Sequence, residues 1–303
     1  LRVPKGRNDT TRAVPFLLDE TSKTKTTKMS MSFYVNQLKY ILSFELDKKR
    51  IYSETLTVYE SIRPTKLYSR SYDPDTDSSI IEFGTNLKMA KKNQDAIAGN
   101  TINNCSVLAA FGNSNVEKTK LNDIYDYFAK QVKDVLAPGM LLSGYVKRHL
   151  DKDKDGNLKK FILNFLKASD FNIEDVTLHE EEELITPELE QLIQKAPIDD
   201  DAKSEMLKKG KITNTELTFT HKAGNGLYEL SEEYESNGTM RFLGMAVILN
   251  FLLKKNQFVP IDEVETSIHY ELLSYFIKVF LANSNQTSQM LLTTHDINLL
   301  NEE

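Results

Sequence analysis

Two adjacent carboxylates, Asp262 and Glu263, follow the short apolar run Phe258–Ile261. An unpaired carboxylate is costly to bury, so this pair predicts a nearby cation, for which Mg²⁺ is the first candidate. Asp262 would hold the metal through water, while Glu263 would orient and deprotonate an attacking water molecule. Acidic pairs also end many strands that have no catalytic role, and Pro260 removes a ladder donor, so the pair alone leaves both interpretations open.

A second group of polar residues precedes the long apolar stretch of the last third. Ser236 is a good N-cap, and the following Asn237 and Gly238 leave backbone N–H groups free at a helix start. Such a terminus can bind an anion, with the hydroxyl of Thr239 beside it and Arg241 one turn further on. An ordinary capped core helix gives the same pattern, so spacing does not decide between the two.

The third chemical group is His295, which follows an apolar run in the segment "LLTTHD". A histidine just past a strand and next to a phosphate site can hydrogen-bond a terminal phosphate and respond to its loss. A single histidine at a strand end is more often structural. The three groups become informative only together, in this order and on one sheet edge.

The last third has the pattern needed to bring them there. Helical spacing at 237–254 is followed by an apolar strand pattern, a second helix at 269–282 and the strand-like run "SQMLL". Strand, helix and strand with short connections predict parallel strands joined by a right-handed crossover, in an α/β sheet. Ligands collect at the carboxyl ends of such strands.

The first third, residues 1–112, is predicted to be a β-rich lobe. Residues 29–59 are rich in Tyr, Phe, Val, Ile and Thr, with a hairpin turn at 47–49, and two more short strands are predicted at 66–72 and 79–83.

The middle third, residues 113–212, is predicted to be a mostly helical insertion, because apolar residues recur at helical spacing in 121–136 and 157–170. Its acidic run "HEEEEL" is most simply a solvated face or loop. From residue 213 to 303 the chain returns to the sheet domain, with a hairpin turn at 224–226.

Composition limits the function classes. The 303 residues are 40% hydrophobic, as in globular proteins, and the net charge of −6 argues against a surface dominated by phosphate contacts, although it leaves open a local basic patch such as Lys88, Lys91 and Lys92. Cys105 is the only cysteine, which excludes a disulfide framework and a Cys-rich zinc site and favours a cytoplasmic location. The longest apolar run, 242–253, is too short for a bilayer, where about 20 residues are needed.

Together the three groups resemble ABC-class P-loop ATPases related to OLD, SMC and RecF proteins, of the AAA type found in prokaryotic abortive-infection and anti-phage systems. "ESNGT" stands where the signature motif of that family lies, Asp262-Glu263 where its Walker B pair lies, and His295 where its switch histidine lies. "DEVETSIHYELL" and "TTHDINLL" are similar to family segments, as are "VPFLLDE" and "KRIYSETL" upstream. The resemblance is strong in the last third and loose in the first.

The resemblance implies a role for each residue. Asp262 would hold Mg²⁺, Glu263 would be the catalytic base and His295 would contact the γ-phosphate of ATP. The signature residues would meet the nucleotide of a second subunit, in a head-to-tail dimer. They are Ser236, Asn237, Gly238 and Thr239. Ser267 and His269 would lie in the loop that crosses the dimer interface.

The sequence departs from the family in one respect. It contains no phosphate-binding loop of the form G-x-x-x-x-G-K-[ST]; the nearest segment, at 210–213, lacks the earlier glycine. In this family the loop precedes the segment that resembles residues 1–18, so we expect a fragment that binds ATP poorly by itself.

The expected function of the intact protein is ATP hydrolysis that drives a conformational switch, in prokaryotic antiviral defence, through an effector protein and without a membrane. The alternative is an SMC- or RecF-like DNA-binding clamp or scaffold used in DNA repair. A DNA-stimulated hydrolysis rate that falls steeply with salt would favour this alternative.

Overall fold

The computed structural model of the chain describes residues 3–196, 200–283 and 287–300. Its contacts divide the chain into a first unit, Leu1–Val132, and a second unit, Lys133–Glu303. This division lies further along the chain than the boundary at 112 that the sequence predicts.

The first unit contains a five-stranded antiparallel sheet in which each strand pairs with the next. The strands are β1 Thr27–Val35, β2 Leu38–Leu46, β3 Ile51–Tyr59, β4 Thr65–Asp73 and β5 Ser78–Phe83. The predicted β-rich lobe is therefore confirmed, including the hairpin turn between β2 and β3. Asn36 and Gln37, both at positive φ, close the β1–β2 hairpin as a two-residue turn.

Three helices follow the sheet in this unit: α1 Lys91–Asn100, α2 Val107–Gly112 and α3 Lys120–Asp126. Their apolar residues, such as Ile97, Leu108 and Ile124, share one buried cluster with Leu56 and Val58 of β3. The core of the first unit thus lies between one face of the sheet and these helices.

A charged network is buried in this core. The carboxylate of Glu54 accepts hydrogen bonds from the Tyr68 hydroxyl (2.6 Å) and from the backbone N–H of Val107 (2.9 Å), with an Arg70 nitrogen 3.8 Å away. Burial raises the pKa of Glu54 above its usual value, and burial also raises the pKa of the neighbouring Cys105 thiol to about 11. The thiol is therefore an inert part of the core.

The second unit contains six helices and five strands among the residues described. They are α4 Ser143–Asp151, α5 Asn157–Ala168, β6 Ile173–Leu184, α6 Pro187–Lys195, α7 Asp200–Lys209, β7 Lys211–Ala223, β8 Gly226–Ser231, α8 Asn237–Lys254, β9 Phe258–Ile261, α9 Tyr270–Leu281 and β10 Gln289–Leu292. The mixed α/β fold predicted from the sequence is confirmed.

The middle of the chain is less helical than predicted. Helices α4 to α7 lie there, but β6 runs through the acidic segment "HEEEEL", for which the sequence predicts a loop or solvated face. Residues 180–183 pair with residues 212–215 of β7, in a three-stranded antiparallel sheet with the order β6-β7-β8. Four successive exposed glutamates lack the apolar–polar alternation by which a strand is recognised in a sequence. Only their pairing with β7 shows that these residues form a strand.

Helix α8 is the centre of the second unit, and its bounds are those predicted. Twelve of its eighteen residues are buried, on all sides of the helix, because α4, α5 and α9 all pack against it. A helix that is apolar all round belongs in a core. Its fixed position determines where its N-terminal residues lie.

Strands β9 and β10 pair in parallel, with Ile261 opposite Leu292 and α9 as their connection. The chain at 133–136 lies along the other edge of β9, where the Leu136 N–H donates to the Pro260 carbonyl (3.0 Å). Pro260 is tolerated because this contact uses its carbonyl oxygen and needs no N–H.

The predicted helix at 121–136 is therefore wrong in its second half. The α-helix ends at Asp126 and continues as a π-helical turn, Tyr127–Gln131, before the chain becomes extended. Pairing with β9 overrides the local helical spacing of residues 132–136. None of the helices described is both long and apolar enough to pass through a bilayer.

Candidate functional site

The site lies at the carboxyl ends of β9 and β10. Because the two strands are parallel and in register, the residues that follow them leave the sheet side by side. Asp262 and Glu263 follow β9, and Thr293 follows β10 and donates its N–H to the carbonyl of Ile261 (3.1 Å). The sheet thus places a hydroxyl next to the carboxylate pair.

The hydroxyl of Thr293 joins both acidic residues. It donates to an Asp262 carboxylate oxygen (2.5 Å) and accepts from the backbone N–H of Glu263 (2.9 Å). The N–H of Val264 closes the turn by donating to the Thr293 carbonyl (3.1 Å). Glu263 has φ +44, a left-handed conformation that is unfavourable for a non-glycine residue. These bonds hold the turn in that conformation, and the two carboxylates have different neighbours: Asp262 contacts Thr293 and Glu263 lies near His295.

His295 reaches the same turn from β10. Its Nε2 lies 3.7 Å from a carboxylate oxygen of Glu263, and its side chain is 86% exposed. An exposed pair of this kind contributes little to stability, so the imidazole is free to take another partner. The structure therefore brings together Asp262, Glu263 and His295, the residues for which the sequence predicts catalytic or metal-binding roles.

Two residues that sequence reasoning missed position this group. Thr293 is the first, and the second is Glu265, whose carboxylate accepts the backbone N–H of His295 (2.7 Å). Burial raises the pKa of Glu265, but the hydrogen bond from His295 and others outweigh it, so the pKa lies below its usual value and the group is ionised at neutral pH. Both residues lie within the motifs, but their hydrogen-bond partners are about 30 residues away in the chain. Residue spacing within a motif therefore does not predict their roles.

The signature-like residues start helix α8 as predicted. The Ser236 hydroxyl oxygen accepts the N–H of Thr239 (3.0 Å) and lies 2.8 Å from the Thr239 hydroxyl, which is buried. Asn237 is exposed at the first position of the helix. The N–H groups of this first turn carry the positive end of the helix dipole.

Gly238 brings this helix start against the loop that follows the acidic pair. A Cβ at Gly238 would lie 2.7 Å from the carbonyl oxygen of Ser267, closer than real Cβ atoms approach backbone. Ser267 itself has φ +62. Only a glycine permits this contact between α8 and the loop at 262–269.

The same loop links the signature-like residues to the acidic pair. The N–H of Thr266 donates to the Glu263 carbonyl (3.0 Å), and the N–H of Ile268 donates to the Glu265 carbonyl (2.9 Å). His269, predicted to lie in a dimer-interface loop, is the exposed N-cap of α9 and makes no capping bond with its side chain.

Arg241 has a different environment from the one its sequence position suggests. It is 6% exposed, and its Nη1 donates to the carbonyls of Ala137 (3.3 Å) and Met140 (3.5 Å). The N–H of Asp262 donates to the Leu136 carbonyl (2.9 Å). Residues 136–140 thus connect α8 to the end of β9, and Arg241 belongs to this internal link.

A cavity of about 410 Å³ lies beside this link and is lined by residues of α8, of the loop at 262–269 and of the segment before α8. Its acidic lining residues are Glu232, Glu233 and Glu235. Glu232 forms an ion pair with Lys147, and the carboxylate of Glu235 is hydrogen-bonded to the imidazole of His221. Two of the three glutamates thus already have partners, and the exposed Asn237 lines the same cavity.

We predict that Gly238→Ala lowers the free energy of unfolding by about 1–3 kcal/mol, since the added methyl group must displace the Ser267 backbone. Gly144→Ala in α4 is the matched control, because a Cβ there meets nothing within 4 Å. That control should be neutral or slightly stabilising, as a helical glycine is replaced by alanine. Urea unfolding followed by circular dichroism measures both; equal effects would show that the Gly238 contact is not tight.

Comparison with known proteins gives one family. A family model described as "AAA domain, putative AbiEii toxin, Type IV TA system" matches residues 5–301. Among solved structures, the SMC head domain from Thermotoga maritima is similar, at 13% identity and a TM-score of 0.34, covering 87% of this chain and 66% of that one. An SMC head bound to the C-winged helix domain of ScpA is similar at 13% identity and a TM-score of 0.38, covering 87% and 68%. A comparison with curated protein sequences gave no match.

Proposed function

Because the chain belongs to the AAA-domain family whose description names the AbiEii toxin of type IV toxin–antitoxin systems, we propose that the intact protein hydrolyses ATP to ADP and phosphate. The proposed active form is a head-to-tail dimer that closes around two nucleotides and acts as a conformational switch. One observation carries the proposal: the turn after β9 presents two adjacent carboxylates, fixed by the Thr293 hydroxyl from β10.

The donor atoms of this turn suit Mg²⁺, which prefers oxygen ligands. Asp262 is the proposed metal-holding residue, through its carboxylate, with Thr293 as the neighbour that orients it. In the Mg²⁺ sites of nucleotide enzymes one or two carboxylates hold the ion, and water and phosphate supply the other ligands. When bound, the ion would neutralise charge on the phosphate oxygens.

Glu263 is the proposed general base. Its carboxylate would accept a proton from water as the water oxygen attacks the γ-phosphorus and the bond to the β–γ bridging oxygen breaks. Since Asp262 contacts Thr293 and Glu263 lies near His295, one carboxylate would serve the metal and the other would serve the water. The exposed imidazole of His295, near Glu263, would donate a hydrogen bond to the γ-phosphate.

The first turn of α8 is the proposed contact with the nucleotide of the partner subunit. Its free N–H groups at Asn237 and Gly238, with the hydroxyls of Ser236 and Thr239, suit a phosphate group. Gly238 contacts the loop that begins at the acidic pair. Loss of the γ-phosphate beside that pair would therefore shift the loop and, with it, the first turn of α8 at the dimer interface. The loop residues Ser267 and His269 are the proposed dimer contacts.

The proposed biological role is in prokaryotic defence. The family description names a toxin of a toxin–antitoxin system, and a nucleotide switch in such a system would control an effector protein. The effector would be recruited or released as the dimer opens and closes.

We predict that Glu263→Gln in the full-length protein lowers the rate of Mg-ATP hydrolysis at least about 10²-fold, because the general base is lost. Nucleotide affinity should survive, since the amide keeps the shape of the turn. Steady-state phosphate release and equilibrium binding of a fluorescent ATP analogue measure the two effects. Equal loss of binding and hydrolysis would contradict the assigned role.

A second prediction concerns the dimer. Asn237→Asp places a negative charge at the first turn of α8 without adding atoms that clash, so it should weaken ATP-dependent dimerisation of the Glu263→Gln protein about tenfold or more. The fold should not suffer, because an acidic residue suits a helix N-terminus. Asn225→Asp, at the distant β7–β8 turn, is the control. Sedimentation with and without ATP would reject the interface if both variants dimerise alike.

A further inference from the structure

Charge is divided very unequally between the two units. Residues 1–132 contain 20 basic and 15 acidic side chains, a net charge of +5, whereas residues 133–303 contain 18 and 29, a net charge of −11. The overall value of −6 therefore conceals a basic first unit. Asymmetry of this kind indicates a polyanionic partner for the basic part.

The excess positive charge is concentrated at one place, between the N-terminal segment and the β2–β3 turn. A cavity of about 870 Å³ there is lined by six basic side chains and a single carboxylate, Asp47. The basic residues are Arg12, Lys23, Lys25, Lys48, Lys49 and Arg50. A second cavity of about 640 Å³ shares Lys48, Lys49 and Arg50 and adds Arg7, with Asp9 and Asp77 as its carboxylates. The β2–β3 turn thus contributes cations to two neighbouring concave surfaces.

Hydrogen bonds to backbone carbonyls hold this arrangement together. The Thr11 N–H donates to the Lys48 carbonyl (2.9 Å), which fixes the N-terminal segment beside the turn. The buried amide of Asn104 donates to the carbonyls of Gly6 (2.9 Å) and Asp9 (2.8 Å). Arg12 has φ +66, a conformation that costs energy for a non-glycine residue. The N-terminal segment and the β2–β3 turn therefore hold these cations in fixed positions.

The carboxylates of Asp47 and Asp77 already have partners within the protein. Asp47 accepts the N–H groups of Lys49 (2.7 Å) and Arg50 (2.8 Å) and the Tyr52 hydroxyl (2.9 Å). Asp77 pairs with Arg50 at 2.9 Å.

Four of the cations have no acidic side chain within ion-pair distance among the residues described. They are Arg12, Lys25, Lys48 and Lys49, here called the basic cluster. All four are exposed. Unpaired cations that line one cavity repel one another, and a bound polyanion relieves that repulsion.

We infer that the basic cluster binds the phosphate backbone of a nucleic acid. A concave surface with cations on both the N-terminal segment and the β2–β3 turn suits a narrow, regularly charged polymer. A flat anionic bilayer is the competing partner, and the exposed Val14, Leu17 and Leu18 next to the cluster are the side chains it would need. The cluster residues line a concave cavity and do not form a flat face, so the geometry favours nucleic acid. This inference does not depend on the proposed ATPase.

The test is binding of a short fluorescein-labelled duplex DNA, followed by fluorescence anisotropy at neutral pH, without nucleotide, from about 50 to 200 mM salt. The variant Arg12→Gln/Lys25→Gln/Lys48→Gln/Lys49→Gln should bind at least about tenfold more weakly at the lowest salt. The slope of log Kd against log salt should fall by roughly 3 to 4, since each lost phosphate contact removes about 0.9. Circular dichroism verifies that the variant is folded.

The matched control removes the same charge from the same unit but outside the cluster. It replaces the exposed Lys88, Lys91, Lys92 and Lys118 by glutamine, and its salt slope should equal that of the unmodified protein. The same measurements with single-stranded DNA and RNA identify which nucleic acid is preferred. Equal weakening by both variants, or no binding at the lowest salt, overturns the inference. Cluster-dependent binding to phosphatidylserine vesicles but not to nucleic acid overturns it in favour of a membrane.

Discussion

The parallel pairing of β9 with β10, closed by the hydroxyl of Thr293, is the constraint on which the candidate site depends. Register places Thr293 opposite the end of β9, so one side chain holds both the Asp262 carboxylate and the Glu263 backbone. Two adjacent carboxylates repel each other, and a fixed turn is needed to direct them to different tasks. Without this bond the motif would be only an acidic pair at a strand end.

The second constraint is close approach between backbones. Helix α8 is fixed by burial on all sides, and Gly238 lets its first turn touch the Ser267 carbonyl. The acidic turn, the loop after it and the start of α8 therefore form one continuous piece of backbone contacts. A bound phosphate that moves any part of that piece would move the rest, which is the physical basis we propose for a nucleotide switch.

The sequence predicted the elements that are locally encoded. The N-cap Ser236 and the long apolar run gave the bounds of α8, and the strand–helix–strand pattern gave the parallel pair and the position of Asp262. It failed where the decisive partner is distant in the chain. Strand β6 was missed because its glutamates are exposed and pair with β7, and the roles of Thr293 and Glu265 depend on contacts across the sheet.

The central claim is that Thr293 holds Asp262 and Glu263 as a hydrolytic pair, and the most direct measurement compares Thr293→Val with Thr293→Ser in the full-length protein. We predict that valine lowers kcat for Mg-ATP about 10- to 100-fold, the value of a hydrogen bond to a charged group, while serine stays within about threefold of the unmodified enzyme. Identical rates for valine and serine would contradict the account, as would a full-length protein that neither binds nor hydrolyses ATP.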